Sequence, residues 1–411
     1  MLWCGLAGFT KLKTMTNSST LRTPGQLLAN IPGILGFYPS DSIVLMAFEE
    51  SDGALTLGPT LRFDIADVSS TLTEALTAID YHRCVFIMPF TITTSANTDL
   101  HSIANEIFNQ AALLEIPITG MWHTTEIAEG EPFGMIARDL NDIHPDFIDM
   151  EELPEHWKRG RIENIVNSAT MEPFIREGRL PGFDRDEAHA PLHTRNHIID
   201  ADTLELTQAQ ALHAATIMQD KNTLDNPRYG YDLADLLDEC EELIFQASTY
   251  GYDAADSCLH DIGLLGVAAM TMGNNYVRDL TAATYLDHPE ETAAIMLATS
   301  QSFTGEIRNN ALCIYAAAQI KRGMPMYAGM ALGASQGANR SHSLTTLMLQ
   351  CYLNGLAQNC VDNIYQGSTN ARSHHYRQRA QKNQAKKNPP NSDGSSRESR
   401  ESDTPDFDDA A

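Results

Sequence analysis

Strand and helix patterns alternate between residues 24 and 140, and this alternation restricts the possible fold more than any other feature of the chain. Short apolar runs are typical of strands, whereas apolar residues spaced three and four apart are typical of helices. Ser51-Asp-Gly53 lies between two apolar runs and predicts a hairpin turn. Strands are predicted at residues 43–48, 55–63, 84–88 and 116–122, and helices at residues 68–79 and 99–114.

This alternation predicts an α/β N-terminal domain with a mixed, mostly parallel sheet, because right-handed crossovers join parallel strands. From residue 205 to 367 nearly every segment shows helical spacing, which predicts an all-α C-terminal domain. The fold class is therefore predicted to be α+β overall. The predicted divisions are a disordered extension at 1–20, the α/β domain at 21–140, a polar connecting region at 141–204, the helical domain at 205–367 and a disordered charged tail at 368–411.

The segment at residues 23–48 predicts a short helix, a tight turn and a buried strand in succession. Thr23 is expected to cap the helix, and Pro32, which a glycine follows, is expected to end it. In the turn before the strand, Asp41 is expected to accept hydrogen bonds from main-chain N–H groups. Phe37 is expected to pack under the sheet.

The net charge of −26 argues against a general affinity for nucleic acid or anionic membranes, since both bind through a basic face. Nucleic-acid binding stays open only for the basic tract at residues 372–387, which contains six lysines or arginines and no acidic residue. No apolar run reaches the roughly eighteen residues that span a bilayer, so no membrane partner is expected.

Seven cysteines without a Cys-x-x-Cys pair indicate a reducing compartment rather than a disulfide framework. The apolar N-terminus precedes its lysines, which is the wrong order for a secretory signal. We therefore expect a cytoplasmic protein. A start at Met15, with residues 1–14 as an upstream extension, is a simpler interpretation of this terminus, and whether Met15 is the true start stays open.

Few motifs in the sequence carry recognisable chemistry. Residues 333–337 match the Gly-x-Ser-x-Gly pattern of a nucleophile elbow, but that elbow needs a strand before Ser335, where the sequence predicts a helix. A glycine-rich turn between helices is the alternative interpretation. The sequence contains no phosphate-binding loop, dinucleotide fingerprint or zinc motif, so neither a cofactor nor a metal is predicted. The spacings of the middle-region histidines suit no standard metal site: His123, His144, His156, His189, His193 and His197.

Four residues are candidates for a ligand site or for structural roles: Asp41, Ser42, Arg278 and Asp279. Asp41 and Ser42 lie in the turn before the first strand, where turn hydrogen bonds explain them adequately. Arg278 and Asp279 open a helix. They are interpreted either as a buried ion pair that ties two helices together or as a ligand-binding pair.

Residues 27–45 form a distinctive motif, Leu-Leu-Ala-Asn-Ile-Pro-Gly-Ile-Leu-Gly-Phe-Tyr-Pro-Ser-Asp-Ser-Ile-Val-Leu. Two later stretches accompany it, one at residues 264–280 with the Arg278-Asp279 pair and one at residues 311–355. Together they resemble an actinobacterial family known only as domain of unknown function 4192, over about residues 22–360. The resemblance implies an actinobacterial cytoplasmic protein. It supplies no activity, catalytic residue or cofactor.

Two functional hypotheses follow from these observations. The first is a non-enzymatic interaction or regulatory protein whose helical half binds an unknown protein partner. The second is a small-molecule-binding protein or an enzyme, with a pocket between the α/β and helical domains lined by Arg278, Asp279 and the turn at residues 39–42. The absence of a strong catalytic motif favours the first hypothesis, and whether the protein is an enzyme stays open.

Overall fold

The computed structural model describes residues 23–51, 54–81, 84–118, 120–136, 153–193, 195–219 and 232–387. The strands are β1 Ser42–Ser51, β2 Ala54–Asp64, β3 Phe86–Ile92, β4 Met121–Thr124, β5 Pro132–Ile136 and β6 Arg159–Arg161. The helices before residue 220 are α1 Pro24–Leu35, α2 Val68–Tyr81, α3 Leu100–Leu113, α4 Glu155–Lys158, α5 Glu172–Arg176, α6 Arg185–His193 and α7 Ala201–Gln219. The later helices are α8 Leu233–Ser248, α9 Ala254–His260, α10 Ile262–Thr271, α11 Asn275–Asp287, α12 Pro289–Ser302, α13 Gly305–Lys321, α14 Pro325–Ala338, α15 Ser343–Leu353 and α16 Ala357–Lys387.

The sheet has the strand order β2-β1-β3-β4-β5-β6, and of its five neighbouring pairs only β3 and β4 run parallel. The prediction of a mostly parallel sheet is therefore wrong, although α+β describes the whole chain. The reason is that β1 pairs antiparallel with both β2 and β3, and so separates the two strands that α2 connects. The predicted hairpin of β1 and β2 is confirmed.

Each face of the sheet packs against helices. Successive side chains of a strand point to opposite faces. On one face Ile43 and Leu45 pack with the apolar sides of α2 and α3. On the other face Val44 and Met46 belong to the same apolar cluster as α1 and the core of the helical half. The sheet is thus a middle layer, and α1 lies between it and the C-terminal helices.

Helix α1 begins as predicted but ends later. The Thr23 hydroxyl accepts a hydrogen bond from the Gln26 N–H, as an N-cap does. The helix continues through Pro32 to Leu35 and stops at Gly36, whose φ of +80° places it in the left-handed region. The prediction that Pro32 ends the helix is therefore wrong. A Cβ atom at Gly33 would overlap the backbone and side chain of Thr170, so glycine is needed there for close packing.

Helix α16 differs from the prediction of a disordered tail that starts at residue 368. It extends to Lys387 and packs along α11. The Arg372 guanidinium donates to the Leu280 carbonyl and the Thr284 hydroxyl, both at 2.6 Å, and these bonds hold the helix in place. Residues 1–20, including Met15, and residues 388–411 lie outside the described part of the chain.

No helix among the described residues is both long and apolar enough to cross a membrane. No disulfide joins the cysteines that the structure describes.

Candidate functional site

A groove with a cavity of about 450 Å³ lies between α6 and α14. Residues before and within the sheet close one side of it, and α13 and α15 close the other. Its cationic and imidazole residues are Arg62, Arg185, His189, His193 and Arg308. Its other lining residues are Leu35, Phe37, Met326, Gly329, Met330, Gly333, Ala334, Gly337, Ala338, Leu349, Tyr352 and Leu353.

Helix α6 contributes one stripe of the groove, Arg185, His189 and His193, which are spaced four residues apart and so share one side of the helix. Local sequence fixes the start of this helix. The Asp184 carboxylate accepts a hydrogen bond of 2.8 Å from the Glu187 N–H, as an N-cap does, and the Glu187 carboxylate accepts from the Phe183 N–H. The two bonds hold the first turn of α6 in place.

Two arginines from other elements complete the positive lining. Arg308, in the first turn of α13, donates to the carbonyls of Leu192 and Ser300 and thereby ties the end of α6 to the helical half. Arg62, on β2, is buried and forms an ion pair of 2.6 Å with Asp64. The charge of Arg62 is therefore partly balanced by a protein carboxylate.

The charges and the burial around α6 change the pKa of His189. Burial, the neighbouring Arg185 charge and His193 lower the pKa of His189 from 6.5 to about 4, and Asp186 opposes them. The rings of His189 and His193 lie 6.4 Å apart. A neutral His189 at pH 7 leaves the groove positive through its arginines. An added negative charge here would favour the imidazolium form.

Helix α14 forms the opposite wall, where three glycines, also spaced four residues apart, remove side chains from the groove. A Cβ atom at Gly333 or Gly337 would meet no atom within 4 Å, so both face open space. At Gly329 a Cβ atom would lie 2.6 Å from the Tyr352 hydroxyl. The glycine stripe thus both admits the Tyr352 ring and makes room for the groove.

The turn residues Asp41 and Ser42 do not line this groove, and Ser42 is connected to it through Arg62. Asp41 is exposed, and its carboxylate accepts a hydrogen bond of 2.6 Å from the Thr93 hydroxyl, where a main-chain N–H was predicted. The Ser42 hydroxyl accepts from Arg62 Nε at 2.8 Å and thereby orients that arginine. The prediction that Phe37 is buried is confirmed.

Arg278 and Asp279 lie in the helical half and do not line the groove. The Arg278 side chain is 7 % exposed and donates to Asn310, Asn275 and Asp279, whereas the Asp279 side chain is 57 % exposed. The Arg278 guanidinium is buried and its hydrogen bonds go to side chains of the protein, which is the arrangement of an arginine with a structural role. The turn at residues 39–42 does not line the groove either, and a pocket formed by this turn with Arg278 and Asp279 stays a prediction.

A buried polar network continues from Asn310. Its amide oxygen lies 3.1 Å from His342 Nε2, and His342 Nδ1 lies 2.7 Å from the Thr345 hydroxyl. Thr345 in turn lies 2.6 Å from the Ser335 hydroxyl. The network links α11, α13, α14 and α15 through satisfied polar contacts, which orients neighbouring helices relative to each other.

Ser335 is placed by this network inside α14, not on a turn after a strand. The Gly-x-Ser-x-Gly pattern is therefore neither a nucleophile elbow nor the glycine-rich turn between helices. Ser335 is fully buried and donates to Asn309. Burial also raises the pKa of the nearby Cys313 thiol to about 11, so it is protonated at neutral pH.

A second cavity of about 320 Å³ lies between α5 and α12, and residues of both charges line it. Its Arg322 and Glu177 form an ion pair of 2.6 Å in which both side chains are largely buried. Because these charges satisfy each other, this cavity is a weaker candidate than the groove. Nowhere in the described chain do three His, Cys, Asp or Glu side chains converge so that they could hold a metal ion.

The sequence did not predict a ligand site at this groove, although two signals for it are visible. The four-residue spacing of Arg185, His189 and His193 and that of the α14 glycines can both be read from the sequence. The two stripes are about 140 residues apart, and only the folded chain shows that they face each other.

The class of protein can now be stated: an α+β protein in which helices cover both faces of a mixed six-stranded sheet and a positively charged groove opens within the helical layer. Comparison with known families matches residues 24–358 to a domain of unknown function, DUF4192. The chain belongs to this family. Neither the curated proteins nor the solved structures gave a match.

Proposed function

We propose that the protein binds a small organic anion in the groove between α6 and α14. One observation carries this proposal. Among the described residues that line the groove there are three arginines and two histidines but no aspartate or glutamate, in a chain whose net charge is −26. A concentration of one charge against the sign of the whole molecule is typical of a site for a ligand of opposite charge.

Several features support binding by a preformed site. Arg308 is held by two main-chain carbonyls, and Arg62 is held by Ser42 and Asp64, so both guanidinium groups are oriented before a ligand arrives. Preorganised side chains lose little entropy on binding. The groove is also mostly apolar apart from these groups, as small-molecule sites usually are.

The groove is better suited to binding an anion than to catalysing its conversion. The buried Ser335, on α14, and Cys313, on α13, belong to the polar network rather than to the groove lining. A regulatory protein that responds to an anion fits this arrangement. The cytoplasmic location and the actinobacterial origin stay predictions.

The experiment is a titration of the purified protein with a fluorescent organic anion, anilinonaphthalenesulfonate, at pH 7. We expect saturable binding, and we expect Arg185→Gln to weaken it about tenfold, because a hydrogen bond to a charged group contributes roughly 1.5–3 kcal/mol.

Arg340→Gln is the matched control, since Arg340 is exposed and does not line the groove. Both variants change the net charge equally. Equal weakening by the two variants would mean that the anion responds to overall charge, and the proposal would be wrong. Equal melting temperatures of the variants exclude partial unfolding as the cause.

A protein-interaction function is the second candidate. Leu180 and Phe183, just before α6, are 71 % and 85 % exposed. Exposed apolar side chains next to a ligand groove favour a contact surface that responds to the ligand. Light scattering with and without the anion tests the simplest form, in which two copies associate. Association that the anion changes and that Phe183→Gln abolishes supports it, and a monomer under all conditions contradicts it.

A further inference from the structure

We propose that the second cavity, between α5 and α12, binds a free α-amino acid with an apolar side chain. This site is separate from the groove and does not depend on the proposed function. Three observations carry the inference: a polar network that the protein satisfies internally, opposite charges that line the cavity without pairing, and an apolar wall of small side chains.

The cavity lies at the end of the helix pair α12 and α13 that is remote from the groove. Only two residues connect α12 to α13, so the helices run in opposite directions and the first turn of α12 lies near the last turn of α13. Arg308 of the groove lies in the first turn of α13, whereas Arg322 of the cavity follows its last residue. These two positions are about 20 Å apart along the helix axis, so the cavity is a site of its own.

The most buried polar groups of the cavity are satisfied by one another. Arg322 forms the ion pair with Glu177 and also donates to the Gln319 side-chain oxygen at 3.2 Å, and its carbonyl accepts from Arg176 at 2.7 Å. Gln319 in turn hydrogen-bonds to Tyr315. Burial raises the pKa of Tyr315, while this hydrogen bond and neighbouring arginine charges oppose the shift, so the hydroxyl stays protonated at neutral pH. The network forms a fixed polar wall.

Arg179, Glu290 and Glu291 are the charged lining residues outside this network. All three line the cavity, and no residue in the described part of the chain forms a hydrogen bond or an ion pair with their side chains. Arg179 lies in the turn after α5, close enough to Tyr315 for its charge to act on the hydroxyl, whereas the two glutamates lie in the first turn of α12. Opposite charges that line one small cavity without pairing with each other suit a ligand that carries both charges.

The charged groups of a free amino acid match these side chains. Its carboxylate suits Arg179, since arginine binds carboxylates through paired N–H groups. Its ammonium group suits Glu290 and Glu291, and because a single carbon separates the two groups, both fit into a small cavity. A simple anion would lie next to the glutamates and a simple cation next to the arginine, and like charges at close range oppose binding.

The rest of the lining suits a short apolar side chain. One wall consists of small or apolar residues: Ala247, Ala254, Ala255, Ala293, Ala294 and Leu297. The volume of about 320 Å³ is near the lower limit of ligand pockets, about 300 Å³, and therefore favours a single amino acid over a peptide. A polar side chain would lose water against the alanine methyl groups without finding a partner. Leucine, valine and methionine are therefore the expected ligands.

The experiment is calorimetry of the full chain with L-leucine, L-valine and L-methionine at pH 7. We expect saturable binding of at least one of them. The corresponding acid without the ammonium group and the corresponding amine without the carboxylate should each bind at least about tenfold more weakly, because each lacks the partner of one charge. For leucine these analogues are 4-methylpentanoate and 3-methylbutylamine.

Two variants locate the binding. Arg179→Gln should weaken the binding of that amino acid about tenfold, and so should Glu290→Gln combined with Glu291→Gln, because each removes the partner of one ligand charge. The substitutions leave the buried network of the cavity intact, and equal melting temperatures exclude unfolding as the cause.

The matched controls are Arg340→Gln for the arginine and Glu74→Gln combined with Glu205→Gln for the glutamates. All three control residues are exposed and line neither cavity. Three results would each overturn the inference. None of the three amino acids binds, or the acid analogue binds as tightly as the amino acid, or the control variants weaken binding as much as the cavity variants do.

Discussion

His189 is the residue at which protonation and the charge of the groove are coupled. Its pKa of about 4 in the folded protein results from burial first and from the positive charge of Arg185 second. In the unfolded chain the same imidazole regains its ordinary pKa of 6.5. Between these two values the unfolded state binds more protons than the folded state.

The lowered pKa of His189 therefore predicts that the unfolding free energy of the protein decreases in acid. Its contribution is fully present above pH 6.5 and is lost as the pH falls toward 4, because protonation then favours the unfolded chain. We expect His189→Asn to flatten the decrease of the unfolding free energy over this interval, as measured by urea denaturation. An identical pH dependence in the wild type and the variant would contradict this account.

Substitution of Asn310 is expected to lower the unfolding free energy more than substitution of Asp279. Asn310→Ala removes an acceptor from the buried Arg278 and from His342, and we expect a loss of about 2–3 kcal/mol of unfolding free energy. Asp279→Ala should cost less than about 1 kcal/mol, because this carboxylate is more than half exposed. Chemical denaturation of both variants gives the comparison, and the reverse order would refute the structural role assigned to Asn310.

Residues of local turns were partly predictable, whereas residues of the groove were not. The Thr23 cap and the burial of Phe37 follow from a few neighbouring residues. The sequence also identified Ser42, but its contact with Arg62 depends on the pairing of two strands. The importance of Arg185 and His189 depends on a helix about 140 residues away, so spacing alone did not identify them.

At the scale of elements, glycines determine how helices end and how they pack. Gly36 ends α1 at a φ of +80°, and a Cβ atom there would lie 3.0 Å from Met326. Gly333, in contrast, is in the middle of α14 and faces open space. The same substitution should therefore have opposite effects at the two positions.

Gly36→Ala is expected to lower the unfolding free energy by about 1–2 kcal/mol, because a left-handed backbone is strained for alanine. Gly333→Ala is expected to raise it by about 0.5–1 kcal/mol, because alanine is the better helix residue. Thermal denaturation of the two variants provides the measurement. Changes of the same sign would contradict the assignment of Gly36 as a left-handed cap.

Elements that depend on nearby residues were predicted well, and elements that depend on distant ones were not. The hairpin of β1 and β2 and the helices α13, α14 and α15 follow from local patterns. The position of β1 between β2 and β3 depends on the pairing of β1 with β3, whose residues are about 40 to 50 apart in the sequence, and it makes the sheet mostly antiparallel. Helix α16 was missed because its polar sequence resembles a disordered segment, while its contacts to α11 stabilise it.

At the scale of the whole molecule, an acidic chain encloses a positive groove. Sheet and helical half share one apolar cluster, which contains Phe37 and Met330 from opposite sides of the groove. The groove is therefore a feature of the assembled fold. With a net charge of −26 around it, a bound anion is retained by local contacts and not by the overall field.

The most direct test of the central claim, that the groove between α6 and α14 binds an anion, is an NMR titration of His189 with and without anilinonaphthalenesulfonate. A bound anion next to His189 stabilises the imidazolium form, so the pKa should rise from about 4 in the free protein. The pKa of His123, which burial lowers and which does not line the groove, should not change. An anion that binds while the pKa of His189 stays the same binds elsewhere, and the central claim is then wrong.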